Sequence, residues 1–575
     1  MTEQTGRLDI PTFKDHYNVL YLTSDLLLDT EVMSGAGGLG VVAGSIATEL
    51  ENNHEHHQTT ALFVAMYCSH GYQKQVMQND VMVPIYERDR FPEATYDTGK
   101  RIRLVLADRE CVIALRTTAN VPTRHTGVLL LDTDLPENPE DIRLITRVLY
   151  GERHATAFFD PYHQPWRDVD WMRVLQSAVL GIGAYYAIRE LGIRVDFVHC
   201  NDSHPVFYPL HRLGEYMRGG LYYNQALERV RKESRYTNHT VLESGNKRYP
   251  ISHIAAVCGH YAGFDEATLR TVSDDVHMFR MTTASLTLVG PGHANAVSKD
   301  HAQIASQNFG YTFHPITNGV YIPQYQDQHF AQLKDPMDIP LIKRKLKLKL
   351  YTTLLERAKD AGWVIRDVHA EDWAQAVLLV WARRGQSYKR MGLMWHHNEF
   401  ELVKKLLDWR HIAVAWGGLV HPDDTEMFRE WNKYFRRIRE LPNVMPVFNY
   451  RLDLIRGPLK SGADVWLNTP WYGYEACGTS WMSAMLNCAL VVSIPDGGVL
   501  ESDKVVRFGS TKQGDWHAQY EHDAEMLWKT LVPEIYHLRE NDPRMLRLLY
   551  EAKVEAEHLF SATRMVDEYR SFLWK

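Results

Sequence analysis

Arg383, Arg384, Lys389 and Arg390 place four cations within eight residues, directly after the apolar run AVLLVWA. A guanidinium grips phosphate oxygens in pairs and an ammonium adds a point charge, so this stretch is a candidate phosphate clamp. Taken alone it also reads as a solvated charge run. Trp471, Tyr472, Tyr474 and Glu475 follow a second apolar run and precede Gly478-Thr479-Ser480. A carboxylate among aromatic rings suits the acceptance of sugar hydroxyl protons, and Gly-Thr-Ser reads as a helix start with a capping hydroxyl. The plainer alternative is that Glu475 only complements the dipole of that helix. SGAGGLG at 34–40 sits between a strand pattern and a helix pattern. Its amides would favour an anion, or it is a simple turn. Asn201-Asp202-Ser203-His204 and Thr237-Asn238-His239-Thr240 end two further strand-like runs, either as polar groups for a cleft or as turn chemistry. NNHEHHQ at 52–58 gathers His54, Glu55, His56 and His57 but reads as a solvated loop, and no metal is expected. Lys343, Arg344, Lys345, Lys347 and Lys349 read as a solvated helix face.

Positioning these groups takes alternating strands and helices. Strand patterns run over 17–24, 60–66, 102–107, 111–116 and 127–132, and RVDFVHC ends at Asn201-Asp202. Helical patterns cover GVVAGSIATELE, stopped by Asn52-Asn53, and about 168–191. A Pro/Gln/Asp-rich stretch at 322–338 and a basic helix at 339–361 follow. Strands recur at 374–382, 411–416, 444–449, 463–468 and 489–494, with helices between them and again over 543–574. Such alternation predicts parallel sheets covered by helices. Two α/β lobes would then bind ligands in a cleft at the carboxyl ends of their strands. The predicted division is a first lobe at 1–325, a linker with a helix at 326–370, a second lobe at 371–540 and C-terminal helices at 541–575.

Composition bounds the rest. The chain of 575 residues is 45% hydrophobic and 23% charged, which fits several globular domains and excludes a disordered or collagen-like chain. A net charge of −7 argues against a nucleic-acid partner. No apolar run reaches the ~18 residues of a membrane span, and the polar start lacks a secretory pattern, so a cytoplasmic protein is expected. The six cysteines are scattered without CxxC spacing and read as reduced thiols.

In order along the chain, SGAGGLGVVAG, VHCNDSHP, TNHTVLESGNKRYP, ITNGV, ARRGQSYKRM, ADVWLNTPWYGYEACGTSWMSAMLNCAL and FSATRMVDEYRSFL resemble seven segments of the glycogen and α-glucan phosphorylases, particularly the shorter bacterial and archaeal form. The resemblance implies the two-lobed GT-B fold, two Rossmann-like lobes with the active site in the cleft between them. It implies backbone amides of Gly37 and Gly38 for an anion, and His239 and Asn318 for hexose hydroxyls. Tyr388 and Glu475 would hold further hydroxyls, Arg384 and Lys389 would bind phosphate, and Gly478 would meet the sugar through its backbone. Asn201, Asp202, Cys477, Thr479 and Ser483 complete the expected substrate-binding set, with His239, Arg384, Lys389 and Glu475 as its catalytic core.

One departure stands out. The family closes the last block with a lysine that forms the Schiff base with pyridoxal phosphate, and Ser483 occupies that position here. Serine has no amine, and no lysine lies between Lys460 and Lys504 to substitute by a small register shift. Cys477 and Cys488 also replace the family's serine and glycine. Pyridoxal phosphate is therefore not expected. The leading expectation is a retaining hexosyltransferase that uses a nucleotide sugar, with Ser483 where related transferases hold the donor ribose, and with a carbohydrate or other hydroxyl compound as acceptor. The alternatives are an oligosaccharide phosphorylase without a covalent cofactor and a non-catalytic glycan-binding relative. Family members often dimerise, so a homodimer is admitted.

Overall fold

The structure is a computed structural model that describes residues 13–28, 32, 35, 37–70, 74–85, 94–118, 124–150, 170–241, 246–365, 368–421 and 424–575. Two mixed α/β lobes carry two large sheets, as the GT-B arrangement requires. The first sheet has nine strands in the order His314–Pro315, Ala294–Ala296, Ser234–Asn238, Arg194–Asn201, His16–Thr23, Ala61–Met66, Thr126–Asp132, Arg109–Thr118, Thr95–Leu106. The first seven are mutually parallel. The last two are antiparallel, a departure from the expected all-parallel sheet. Arg109–Thr118 follows Thr95–Leu106 through a tight turn at Ala107 and Asp108, both at positive φ, and a connection that short leaves no room for a crossover helix.

The second sheet is all parallel, in the order Val444–Val447, Ile412–Leu419, Val377–Arg384, Val465–Asn468, Leu490–Ser493, Val506–Arg507. Strands Ile412–Leu419 and Val465–Asn468 are buried at every position, which is why they read as continuous apolar runs rather than alternating ones. Both sheets start near their middle, at His16–Thr23 and Val377–Arg384, and later strands are added on either side. Each sheet therefore has a topological switch point, where strand ends diverge and leave a crevice.

Helices cover the sheets where the sequence predicts them: Gly38–Asn52, Asp170–Glu190, Ile339–Asp360, Thr425–Ile438 and Pro543–Leu559. The last helix, Ala562–Phe572, packs on the first sheet. Its Met565, Val566 and Tyr569 share a buried cluster with Val19, Tyr21, Ile46 and Phe63. Trp574 just beyond it donates from Nε1 to His199 Nδ1 at 2.9 Å. The second lobe is centred on Trp381, Trp416 and Trp431, with ring centroids 6.0 and 5.8 Å apart in sequence.

Two sequence readings change. The basic helix is not uniformly solvated, because Lys343 and Lys347 are buried. Lys343 donates to the carbonyls of Ser461 and Ala463, and Lys347 donates to Ala376 O and to Asp464 Oδ2 at 2.8 Å. Likewise His57 of the 52–58 segment is buried and pairs with Glu49 Oε1 at 2.8 Å in a short helix, His54–His57. All six cysteines are buried and unpaired. Among the described residues no helix is long and apolar enough to cross a membrane.

The ion pair of Arg390 with Asp523 (2.6 Å) has both side chains at 1% exposure or less, and Asp523 also accepts from Ser510 N and Oγ. Removing one member of such a pair strands the other charge in the core. Asp523→Ala is expected to cost roughly 3–5 kcal/mol, read as a lowered urea midpoint for the second lobe. An unchanged midpoint would contradict this account.

Candidate active site

A cavity of about 770 Å³ lies between the lobes, at the carboxyl ends of the central strands of both sheets. From the first lobe it receives Asp25 after His16–Thr23, Asp202 and His204 after Arg194–Asn201, and His239 after Ser234–Asn238. From the second it receives Arg384 at the end of Val377–Arg384, Lys389 just beyond it, and the stretch Tyr474–Ser480 beyond Val465–Asn468. These elements flank both switch points, so the topology alone brings together segments far apart in sequence.

The two lobes are bonded across this floor. Ser298 Oγ donates to Ala476 O at 2.7 Å, and Asn318 Nδ2 donates to Cys477 O at 3.3 Å. Asn318 is held in turn by Arg564, whose Nη2 donates to the carbonyls of Thr317 and Asn318 at 2.6 and 3.2 Å. Asp496 fixes the Glu475 loop, its Oδ2 accepting from the amides of Tyr474 and Glu475 at 2.9 and 2.8 Å. Gly497 sits at φ +59°, and a Cβ there would lie 2.1 Å from Glu475 O, so no larger residue can close that loop.

The electrostatics follow from dryness. Lys389 Nζ lies 3.4 Å from Glu475 Oε2, and burial still pulls its amine below the usual lysine range against that carboxylate's opposing effect. Burial, then the nearby Glu475, pushes Tyr388 well above the usual phenol range, so it stays a neutral donor. His239 is driven down to about 3 by burial, with His301 adding repulsion. Its Nε2 meets Asn201 Oδ1 at 2.6 Å, which assigns Nε2 as donor and leaves Nδ1 as acceptor. Burial raises Asp202 to about 6. On the cavity wall Asn318 Oδ1 is buried with no hydrogen-bond donor among the described residues, and Glu475 Oε2 faces only the Lys389 ammonium at 3.4 Å. Native interiors satisfy such atoms, so acceptors left open on a cavity wall point to donors brought by a ligand.

Of the fourteen site residues expected from sequence, the structure sets thirteen on the cavity wall: Gly37, Gly38, Asp202, His239, Asn318, Arg384, Tyr388, Lys389, Glu475, Cys477, Gly478, Thr479 and Ser483. Asn201 stands behind them, bonded to His239 and donating to Thr23 Oγ1 at 3.1 Å. Details differ from expectation. The Gly37 amide is already taken by Asp25 Oδ2 at 2.9 Å, and a Cβ at Gly40 would fall 2.2 Å from the same carboxylate. Gly37 therefore cannot offer that amide to an anion while Asp25 stays in place. Thr479 makes no capping bond to helix Ser480–Met485. The four cations of the 383–390 stretch also divide. Arg384 and Lys389 face the cavity. Arg383 is spent on Asn468 Oδ1 (2.5 Å) and Leu467 O, and Arg390 on Asp523 and the carbonyls of Thr469 and Pro470.

Sequence reasoning missed Asp25, Arg173 and Asp496 as wall residues or supports. Asp25 and Asp496 each follow a buried strand, and acidic residues at such ends were the available signal. Arg173 lies within a helix and carried none.

No family model matches the chain. The chain is 27% identical to a maltodextrin phosphorylase of Thermococcus litoralis, over 96% of its own length and 70% of that protein. It is 26% identical to a glycogen phosphorylase of Aquifex aeolicus, over 97% of the chain and 86% of that protein. It is 25% identical to an uncharacterized protein of Methanocaldococcus jannaschii, over 96% of the chain and 99% of that protein. It covers 58% of a 28% identical glycogen phosphorylase of Mycobacterium tuberculosis. The chain is thus a distant homologue of the glycogen and maltodextrin phosphorylases over most of its length.

Burial and the neighbouring Glu475 raise the Asp496 carboxyl to about 7, against the opposing effect of its two amide donors. A carboxyl raised in the fold keeps its proton where the unfolded chain has lost it. Its contribution to stability therefore falls as pH rises from about 4 to about 7 and is level above. Asp496→Asn removes that slope. Relative to the parent, the variant is expected to gain stability between pH 5 and pH 8 in urea titrations. A parallel pair of curves would contradict the assignment.

Proposed function

We propose that this chain is a retaining hexosyltransferase of the phosphorylase kind, moving a terminal hexose from an α-linked oligosaccharide to inorganic phosphate. The observation that carries the reading is the open, buried acceptor Asn318 Oδ1 beside the Glu475 carboxylate, set against the two cavity-facing cations Arg384 and Lys389. Hydroxyl-rich and anionic groups are the complement of that wall. Homology to the two phosphorylases over most of the chain supports the same choice.

In this reading Asn318, Glu475 and neutral His239 accept hydroxyl protons and orient the hexose. Arg384 and Lys389 hold the phosphate and stabilise charge as it develops between the sugar and its partner oxygen. A phosphate oxygen bonds to the anomeric carbon on the face the leaving sugar departs from. The glycosidic oxygen leaves with the phosphate proton, so the products are a sugar 1-phosphate and a shortened chain. Lys389, drawn toward Glu475 without ligand, exchanges part of that contact for the phosphate.

The family's cofactor, pyridoxal phosphate, supplies a second phosphate beside the substrate phosphate. The cations here suit an additional anion, but position 483 does not suit the anchor. Ser483 Oγ turns back onto its own helix, donating to Ser480 O at 3.0 Å. A second reading, transfer from a nucleotide sugar, draws support from the same serine, whose small side chain leaves that part of the wall open.

Arg384→Ala and Lys389→Ala are each expected to lower turnover about 10²–10³-fold. The assay is release of sugar 1-phosphate from maltodextrin and phosphate, run beside UDP-, GDP- and ADP-sugar donors. Product from a nucleotide sugar and none from phosphate would overturn the reading in favour of the second.

A further inference from the structure

The segment NNHEHHQ reads in sequence as a solvated loop, but the fold gives its histidines different neighbours. His54 stacks on His125, with ring centroids 3.7 Å apart. His56 and His57 turn instead to the last helix, Ala562–Phe572, and both meet its Asp567. His56 Nε2 lies 3.1 Å from each oxygen of that carboxylate, and His57 Nδ1 lies 3.3 Å from Oδ1. One ligand-type atom from each of the three side chains falls within 4.8 Å of the others. A tetrahedral ion with bonds of about 2.0–2.1 Å holds its ligand atoms roughly 3.3 Å apart. The separations to Asp567 match that spacing.

A hydrogen bond accounts for the His56 contact equally well. It does not account for His57. That ring is 0% exposed, and its Nε2 meets Oε1 of the buried Glu49 at 2.8 Å. A carboxylate only accepts, so Nε2 carries the ring proton and Nδ1 presents a lone pair. Among the described residues Nδ1 has no hydrogen-bond partner. A buried lone pair therefore faces a carboxylate oxygen at 3.3 Å, which is unfavourable until a cation joins them. A carboxylate behind the far nitrogen of an imidazole is also the arrangement that fixes the tautomer of a metal-bound histidine and raises its basicity.

We propose that His56 Nε2, His57 Nδ1 and the Asp567 carboxylate form a site for a divalent transition metal, Zn²⁺ by donor type, with Glu49 orienting the buried ring. Two imidazoles and one carboxylate suit zinc, whereas magnesium and calcium favour oxygen ligands throughout. His56 and Asp567 are about half exposed, which leaves the remaining position to water. The ion displaces Arg570 from its 3.8 Å approach to the same carboxylate. Its role is a brace. His56 and Asp567 are 511 positions apart, and a clip that closes so long a loop restricts the unfolded chain most. The helix it secures also carries Arg564, which holds the carbonyls of Thr317 and Asn318 at the cavity wall. The proposal is independent of the phosphorylase reading.

The test uses the full chain, stripped of metal with a chelator and titrated with Zn²⁺ at neutral pH. One saturable equivalent is expected, with an unfolding temperature that rises with free Zn²⁺ by mass action. Co²⁺ in its place should give the visible absorbance of a tetrahedral site. His56→Ala and Asp567→Asn alter exposed side chains, and each should abolish binding and the thermal shift while keeping the parent's circular dichroism. Glu49→Gln should weaken affinity about 10–100-fold, and unchanged affinity would reject its orienting role. The cluster His396, His397 and Glu521 provides the control, since His397→Ala should leave the titration as it was. An absence of saturable binding would mean that a second proton on His57 is the missing cation and would overturn the proposal. So would equal binding in the parent and both ligand variants, an adventitious ion only, or a loss of binding in His397→Ala.

Discussion

Arg383, Arg384 and Lys389 crowd one buried corner of the cavity around Glu475, and the rest of the site is organised around that crowding. Like charges this close are tolerated only when each has a fixed partner or gives up its proton. Arg383 is tied to Asn468 and Leu467, and Arg390 to Asp523 and two carbonyls. Lys389 leans on Glu475, and Lys460 is pushed toward neutrality. The structure thus sorts identical-looking basic residues into braces and a cavity-facing pair.

That arrangement needs a rigid mount, and the two sheets provide it. Both present carboxyl ends at a switch point, so loops of very different length reach one cavity. The bonds from Ser298 and Asn318 to the Ala476 and Cys477 carbonyls couple first-lobe loops to the stretch that carries Glu475. Moving one lobe against the other would disturb the cavity-facing groups directly. Asp496 stiffens the same stretch from below at the cost of a carboxyl held against desolvation.

Much of this was legible in the residues. Strands buried on both faces are nearly continuous apolar runs, and the polar residues that end them fall at the cleft by topology, so Asp202, His239, Arg384 and Glu475 could be found without coordinates. Direction within a loop could not. Arg384 and Arg390 look alike in sequence, yet one faces the cavity and the other a buried aspartate. Lys343 and Lys347 sit on a helix whose basic face reads as solvated, and only the neighbouring carbonyls of Ser461, Ala463 and Ala376 show otherwise.

The helix Ala562–Phe572 has a consequence for how the chain is made. It fills one face of the first sheet, and Tyr569 and Trp574 contact Thr237 and His199 beneath the strand that carries His239. The ribosome delivers that helix after everything else described. While the second lobe is being synthesised, the first must wait with Val19, Tyr21 and Phe63 uncovered on that side. Closing contacts between such distant segments are slow to form, because loop entropy must be overcome first. The first lobe is therefore finished only after the second has been made, and during that interval its uncovered face is open to a chaperone or to aggregation.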